Sequence, residues 1–227
     1  MLTPKQERAA VRIFEKGAFK FGAFKLKLHE KNPSAPLSPF FIHLRNKDNP
    51  TKPGPLVEED YLMIAECSLE TISESGFVFD AIAAIPRAAD PIVDAIEKLQ
   101  YYDSSLCQGD FRIIRLEKRD NDDGFRKIVP LPGFEYKKGE RVLLVDDLVT
   151  KAETKIEAIK AIESQGAIVV GIVVLIDRQQ GGKDELAAAG YTLLASMTVS
   201  DLFDFYRQKG LVSWQKYQEA IGYIAVN

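Results

Sequence analysis

The sequence predicts an α/β fold, a largely parallel sheet flanked by helices, with a small N-terminal hood. Three observations predict it. Runs rich in Val, Ile and Leu recur at 77–85, 111–116, 142–145, 167–176 and 191–199. They lack the strict apolar–polar alternation of a half-exposed strand, so both faces of the sheet must be covered. Amphipathic helical stretches alternate with them, as crossover helices do in a parallel sheet. Before residue 58 the chain is irregular and rich in proline and lysine.

Composition bounds the rest. A chain of 227 residues, 46% hydrophobic and 28% charged, suits one α/β domain with an appendage, or at most two small domains. A formal net charge of −3 gives no basic surface for nucleic acid. No apolar run reaches the roughly 20 residues that cross a bilayer. Residues 1–16 are amphipathic and mixed in charge, without the apolar core of a signal peptide. Cys67 and Cys107 lie far apart and read as free thiols in a reducing compartment. A cytoplasmic protein is expected, with no membrane and no nucleic acid among its partners.

Taken in order, Thr3 caps a first helix and Pro4 occupies its first position. Ala9, Ala10, Ile13 and Phe14 form its apolar face, and Gly17 ends it. Short strands at 19–28 and 39–44 complete a hood over residues 1–57. The core, 58–227, opens with a helix at Glu58–Glu74 carrying Leu62, Ala65, Leu69 and Ile72 on one face. Helices follow at 91–101 and 152–165. The stretch 200–223 reads as two helices split by Gly210, the first capped by Ser200 or Asp201 and the second by Ser213.

Ligands of such sheets bind at the carboxyl ends of the strands. There the third run ends in Asp146-Asp147, before a loop and a helix N-terminus. Burying such a pair unanswered costs several kcal/mol, so it belongs at a strand tip. A helix N-terminus holds phosphate with its free N–H groups and dipole. The carboxylates accept hydrogen bonds from sugar hydroxyls, or hold the water shell of Mg²⁺. A nucleotide triphosphatase is excluded, because Gly181-Gly182-Lys183 is followed by Asp184 rather than Ser or Thr. A phosphoacceptor aspartate lacks its companion acids near the chain start. A solvated turn is the structural alternative.

The stretch 142–150 resembles the phosphoribosyl-pyrophosphate motif of type I phosphoribosyltransferases: a hydrophobic strand, two acids, two apolar residues and a threonine turn. Phe24-Lys25-Leu26-Lys27, Ser38-Pro39-Phe40-Phe41, Ile85-Pro86-Arg87-Ala88-Ala89-Asp90-Pro91 and Asp177-Arg178-Gln179-Gln180-Gly181-Gly182 resemble, in order, further motifs of its orotate branch. The resemblance implies a type I phosphoribosyltransferase-like fold and transfer of phosphoribosyl from phosphoribosyl pyrophosphate to orotate, giving orotidine monophosphate and pyrophosphate in pyrimidine nucleotide biosynthesis. It implies Mg²⁺ with no direct protein ligand, and a homodimer.

It also implies roles. Asp146 and Asp147 hold the ribose, and Arg115 and Arg119 join them in catalysis. Thr150, Lys151, Ala152 and Thr154 wrap the 5′-phosphate. Arg87 and Lys118 meet the pyrophosphate. Arg178 and Lys27 hold the orotate carboxylate, for which a planar guanidinium is a bidentate donor. Phe40 and Phe41 flank the ring. The polar stretch 115–126, with Gly124, corresponds to a mobile lid.

The chain departs from the family pattern in places. Ala152 stands where glycine is usual, and Glu153 places a negative charge beside the phosphate. Leu116 replaces a lid lysine, Ala88 a loop glycine, and 29–37 is an insertion. The histidines are His29 and His43, so the lid has none. These departures leave two alternatives: a non-catalytic relative that binds a nucleotide or partner protein, and a transferase acting on another base.

Overall fold

The computed structural model describes the chain apart from residues 27, 28, 30, 31, 51, 104–108, 121–125 and 227, and apart from the side chains at 120 and 126. The first helix, α1 (Pro4–Glu15), starts at a capping box: the Thr3 hydroxyl accepts from the Gln6 N–H at 3.3 Å, and Gln6 Oε1 accepts from the Thr3 N–H at 2.9 Å. Its apolar face buries Ala9, Ala10 and Ile13. On its other flank Arg12 and Lys16 reach the buried Asp60 of α2 (Glu58–Glu74) at 2.5 and 3.5 Å, so this acid is answered by two cations.

Between them, β1 (Phe19–Phe24) and β2 (Ser38–Ile42) form an antiparallel ribbon, both strands shorter than expected. After Phe24 the chain turns, and the Leu26 N–H donates to His29 Nδ1 at 2.9 Å. Leu28 lies outside the described residues.

The main sheet contains β3 (Ala81–Ala84), β4 (Arg112–Ile114), β7 (Arg141–Val149), β8 (Ile168–Asp177) and β9 (Leu193–Thr198). Its order is β4-β3-β7-β8-β9, and every pairing is parallel. Helices α3 (Asp90–Tyr102), α4 (Glu153–Glu163), α5 (Gly182–Ala188), α6 (Val199–Gln208) and α7 (Trp214–Val226) accompany it. The strands carry apolar residues on both faces because both faces are covered. Leu143 and Val145 of β7 pack into one core cluster, while Val142 and Leu144 pack into the other. Each fully buried aliphatic side chain contributes roughly 1.5–3 kcal/mol.

The run at 77–85 becomes strand at 81–84, because Phe77 leaves the strand direction to pack on β8. A Cβ at Gly171 would lie 2.3 Å from the Phe77 ring, so glycine is required there. The run at 111–116 divides at Arg115. Its second part begins β5 (Leu116–Asp120), which pairs antiparallel with β6 (Arg126–Pro130). The polar lid stretch therefore forms part of a β-ribbon over its described residues from Leu116 to Asp120 and at Arg126, and its tip, with Gly124, lies outside the described residues. The Ile128 N–H of β6 donates to Glu157 of α4 at 2.7 Å, which docks the ribbon on the core.

Thr198, rather than Ser200 or Asp201, caps α6. Its hydroxyl accepts from the Asp201 N–H at 3.1 Å, while Asp201 completes the box as the third helical residue. Ser213 caps α7 as expected, accepting from the Lys216 N–H at 3.4 Å. The short helix α5 is absent from the sequence expectations.

Candidate active site

The carboxyl ends of β7 and β8 lie side by side, with Val149 paired to Asp177. Strand β7 runs past the acid pair, so Asp146 and Asp147 sit within the strand rather than at its tip. Asp146 pairs with Val174 of β8 in the ladder and is 5% exposed. That burial requires a counter-charge, and α4 provides one. Lys155 Nζ lies 2.6 Å from Asp146 Oδ2 and donates to the Leu148 carbonyl at 2.6 Å. The other oxygen, Asp146 Oδ1, accepts from the Asp147 N–H at 2.9 Å.

Lys155 had no place in the sequence expectations, although a signal existed. It falls at helical spacing with the buried Ala158, Ile159 and Ile162, on the face that must meet the core. A lysine on that stripe needs a carboxylate partner.

Asp147 is partly buried, and its Oδ1 accepts from the Leu148 N–H at 2.7 Å. Burial, and then the neighbouring Asp146 carboxylate, push its pKa up to about 7, while Lys155 opposes the shift. Asp90, opening α3, is pushed up to about 6 by burial against the pull of Arg115, with Asp94 and Asp146 adding to the rise. The phenol of Tyr61, buried and donating to the Leu44 carbonyl at 2.7 Å, is raised by burial and then by Asp147.

Cations meet these acids unequally. Lys118 of β5 lies partly buried within the field of Asp146, Glu157 and Asp147; burial lowers its pKa against their pull. Arg119 points to the other face of the ribbon, is exposed, and pairs with Glu117 two residues earlier. Arg115 reaches Asp94 at 2.7 Å and Glu97 at 3.0 Å on α3. Arg87 is exposed in the loop between β3 and α3, where the Pro86–Arg87 peptide is cis. Lys118 thus lies in the field of the acid pair, whereas Arg119 pairs with Glu117 in solvent.

The turn between β7 and α4 carries Thr150, Lys151, Ala152, Glu153 and Thr154. Ala152 adopts φ −80° and ψ −15°, an ordinary right-handed conformation that needs no glycine, and its methyl is buried in the core. A resident carboxylate meets this turn. Glu185 of α5 accepts from the Ala152 N–H at 2.8 Å through Oε2, and its Oε1 lies 3.4 Å from Lys151 Nζ. Gly182 permits the approach, since a Cβ there would lie 2.6 Å from Val149 Cγ2.

At the end of β8, Arg178 is 4% exposed, yet its Nε and Nη2 have no hydrogen-bond partner among the described residues. Its guanidinium lies 5.0 Å from the centroid of the Phe40 ring. Burial pushes its pKa down to about 10. The amide oxygen of Gln180 is likewise buried without a partner. Phe40 is wholly buried against Phe19, Phe203 and Tyr223, while Phe41 lies on the opposite face of β2 near Phe24 and His43. Neighbouring strand residues point to opposite faces, so the two rings do not flank one ligand ring together. Phe40 instead supports Arg178. Lys27 lies outside the described residues.

A parallel sheet with an acid pair, a helix N-terminus and an unpaired buried arginine at its carboxyl edge defines a protein that handles a phosphorylated, anionic ligand. The phosphoribosyl transferase domain model matches residues 61–193, more than half of the chain, and the chain belongs to that family. Within it, the chain is 29% identical over 199 residues to the orotate phosphoribosyltransferase of Pyrococcus abyssi, covering 88% of this chain and 96% of that protein. It is 30% identical over 192 residues to the orotate phosphoribosyltransferase of Pyrococcus furiosus, covering 85% and 92%. The structure of Leishmania donovani UMP synthase superposes with a TM-score of 0.74 at 28% identity, over 98% of this chain and 42% of that one.

Proposed function

We propose that this chain transfers the phosphoribosyl group of phosphoribosyl pyrophosphate to orotate, giving orotidine monophosphate and pyrophosphate, a step of pyrimidine nucleotide biosynthesis. The observation that carries the reading is Arg178. A buried guanidinium with two unpartnered nitrogens is costly in the free protein, and a planar carboxylate answers it. It stands one strand away from the acid pair and the phosphate turn, so a carboxylate on the base and a phosphate on the ribose are met from adjacent strand ends.

On this reading the turn from Thr150 to Thr154, with Lys151, holds the 5′-phosphate through the N-terminus of α4. The acid pair of β7 faces the ribose, whose C1 bond to pyrophosphate breaks as the ring nitrogen of orotate bonds to C1, the nitrogen's proton passing to the departing pyrophosphate or to solvent. Positive charge develops on the ribose as the bond breaks, and fixed carboxylate charge beside it lowers that barrier. Lys118, with Arg87 and Arg115 at the same edge, draws the departing pyrophosphate. Arg178 holds the base in line, so positioning and charge account for the catalysis.

Mg²⁺ fits as a companion of the substrate. Among the described residues no group of three or more His, Cys, Asp or Glu gathers to hold a metal, whereas Mg²⁺ prefers phosphate oxygens and its own waters. Asp147 would meet that water shell, and the ion would supply charge neutralisation to the pyrophosphate. A homodimer belongs to the same reading. The exposed Tyr101 and Tyr102, edge-on to each other at the end of α3, offer an apolar patch that a second copy would cover. So does a cytoplasmic setting. Cys67 is a buried free thiol raised to about 12 by burial, and among the described residues no helix is long and apolar enough to cross a membrane.

Orotate consumption by the purified protein with phosphoribosyl pyrophosphate and Mg²⁺ tests the proposal, with the Asp146→Asn/Asp147→Asn variant as control. Turnover that the control lacks is expected. No turnover from folded protein at high concentration would favour a binding role or another base.

A further inference from the structure

Gln180 is 3% exposed, and its Oε1 has no hydrogen-bond partner among the described residues. Buried polar atoms are nearly always paired, so an unanswered acceptor asks for an explanation. Arg178, two residues earlier, leaves Nε and Nη2 in the same condition. One turn thus holds two buried donor nitrogens and one buried acceptor oxygen without partners. Resting on the transferase reading above, we propose that Gln180 is a further substrate-binding residue, whose amide oxygen accepts a hydrogen bond from a donor of the bound substrates, a ring N–H of the base or a hydroxyl of the ribose.

The backbone places this turn. The Arg178 N–H donates to the Val149 carbonyl at 3.0 Å, and the Gly182 N–H donates to the Thr150 carbonyl at 3.1 Å. Residues 178–182 therefore run alongside the end of β7 and the phosphate turn, with Gln180 between the two ties. Its neighbours serve other contacts. Gln179 takes the left-handed conformation, φ 57°, and its N–H donates to Asp177 Oδ1 at 2.7 Å. Its side-chain oxygen accepts from the Ser200 N–H of α6 at 3.0 Å. Position 181 faces Lys151, because a Cβ there would lie 3.2 Å from Lys151 Nζ. Gln179 thus anchors the turn to α6, and the amide oxygen of Gln180 is left uncommitted in the same turn as Arg178.

The chemistry of the open atoms selects what answers them. A guanidinium asks for an acceptor, whereas an amide oxygen asks for a donor. A carboxylate answers Arg178 and leaves Gln180 open. Orotate brings ring N–H groups along with its carboxylate, and phosphoribosyl pyrophosphate brings ribose hydroxyls, so each substrate carries a donor that the amide oxygen lacks. Either bond satisfies an acceptor that is costly to leave buried, and so favours the complex.

Gln180→Met removes the oxygen and keeps an unbranched chain of similar volume. Calorimetric titration of the full chain with orotidine monophosphate and with ribose 5-phosphate reads the two donor sources separately, and thermal melting reads stability. The variant is expected to bind orotidine monophosphate roughly tenfold more weakly, the scale of one hydrogen bond to a buried group, with a melting temperature equal to or above that of the parent. Unchanged affinity for ribose 5-phosphate then assigns the donor to the base, and a parallel loss assigns it to a ribose hydroxyl; both support the proposal. Unchanged affinity for both ligands overturns it. So does a loss of affinity accompanied by a fall in melting temperature, which would make Gln180 part of the frame of the turn. If Gln180→Met fails to fold, Gln180→Ala, which adds no bulk, is read by the same criteria. Failure of both to fold is a structural role and overturns the proposal. A parent protein that binds neither ligand and leaves orotate unconsumed would overturn the transferase reading itself. A parent that consumes orotate, beside a variant that binds as the parent does, sinks this inference alone.

Discussion

The guanidinium of Arg178 stands 5.0 Å from the centre of the Phe40 ring, buried, with two nitrogens unanswered. The ring attracts the cation but supplies no hydrogen-bond acceptors, so the protein carries a desolvation cost at Arg178 that the orotate carboxylate of the proposed reading would relieve. Arg178→Met removes that cost while keeping an unbranched chain over the ring. The variant is expected to be more stable by about 1–3 kcal/mol in urea unfolding and to lose orotate binding. A less stable variant with normal KM for orotate would show that Arg178 is a structural residue.

The Asp147 carboxyl offers a pH signature. Its pKa is raised from 3.8 to about 7 in the free protein, so folding favours the protonated form. Its contribution to stability is complete below about pH 4 and is lost as pH rises through about 7. Asp147→Asn keeps the shape and removes the titration. Parent stability minus that of the variant should therefore fall between pH 4 and pH 7, measured by urea midpoints. Asp90, raised to about 6, contributes a slope of the same sign to both proteins and cancels in the difference. A flat difference would contradict the burial assigned to Asp147.

Glu185 occupies the Ala152 amide and lies beside Lys151, the groups that the proposed reading gives to the 5′-phosphate. Its removal should tighten binding of ribose 5-phosphate by roughly three- to tenfold, the scale of one charge-assisted hydrogen bond made in partial solvent. Calorimetry with Glu185→Ala checks this. Weaker binding would mean that Glu185 orders the turn for its ligand rather than blocking it.

The ribbon cations separate cleanly. Lys118 lies in the field of Asp146 and Asp147, whereas Arg119 pairs with Glu117 in solvent. Lys118→Met should raise KM for phosphoribosyl pyrophosphate by roughly tenfold, and Arg119→Met by less than about twofold, since exposed pairs contribute little. Equal effects would place the ribbon differently in the working enzyme.

Much of this fold is legible in the chain because its signals are local. Thr3 with Pro4 marks the start of α1, and the apolar spacing over Glu58–Glu74 marks α2 from its first residue to its last. Unbroken Val, Ile and Leu runs mark the parallel strands, since only a doubly covered sheet buries both faces. The ribbon of β5 and β6 was hidden because β5 carries consecutive charges from Glu117 to Asp120, with no apolar alternation, and so reads as a polar loop. Helix α5 was hidden by its seven residues and its glycine start.

By itself the sequence determined the parallel α/β class, the acid pair after the third apolar run and Arg178 after the fourth, because periodicity is a property of neighbouring residues. Tertiary structure alone decided which charges meet. Lys155 answers Asp146, Glu185 takes the Ala152 amide, Phe40 lies under Arg178, and Lys118 rather than Arg119 lies in the field of the acids. The physical reason is desolvation: a charge removed from water must find a partner, and packing of distant segments chooses which partner is within reach.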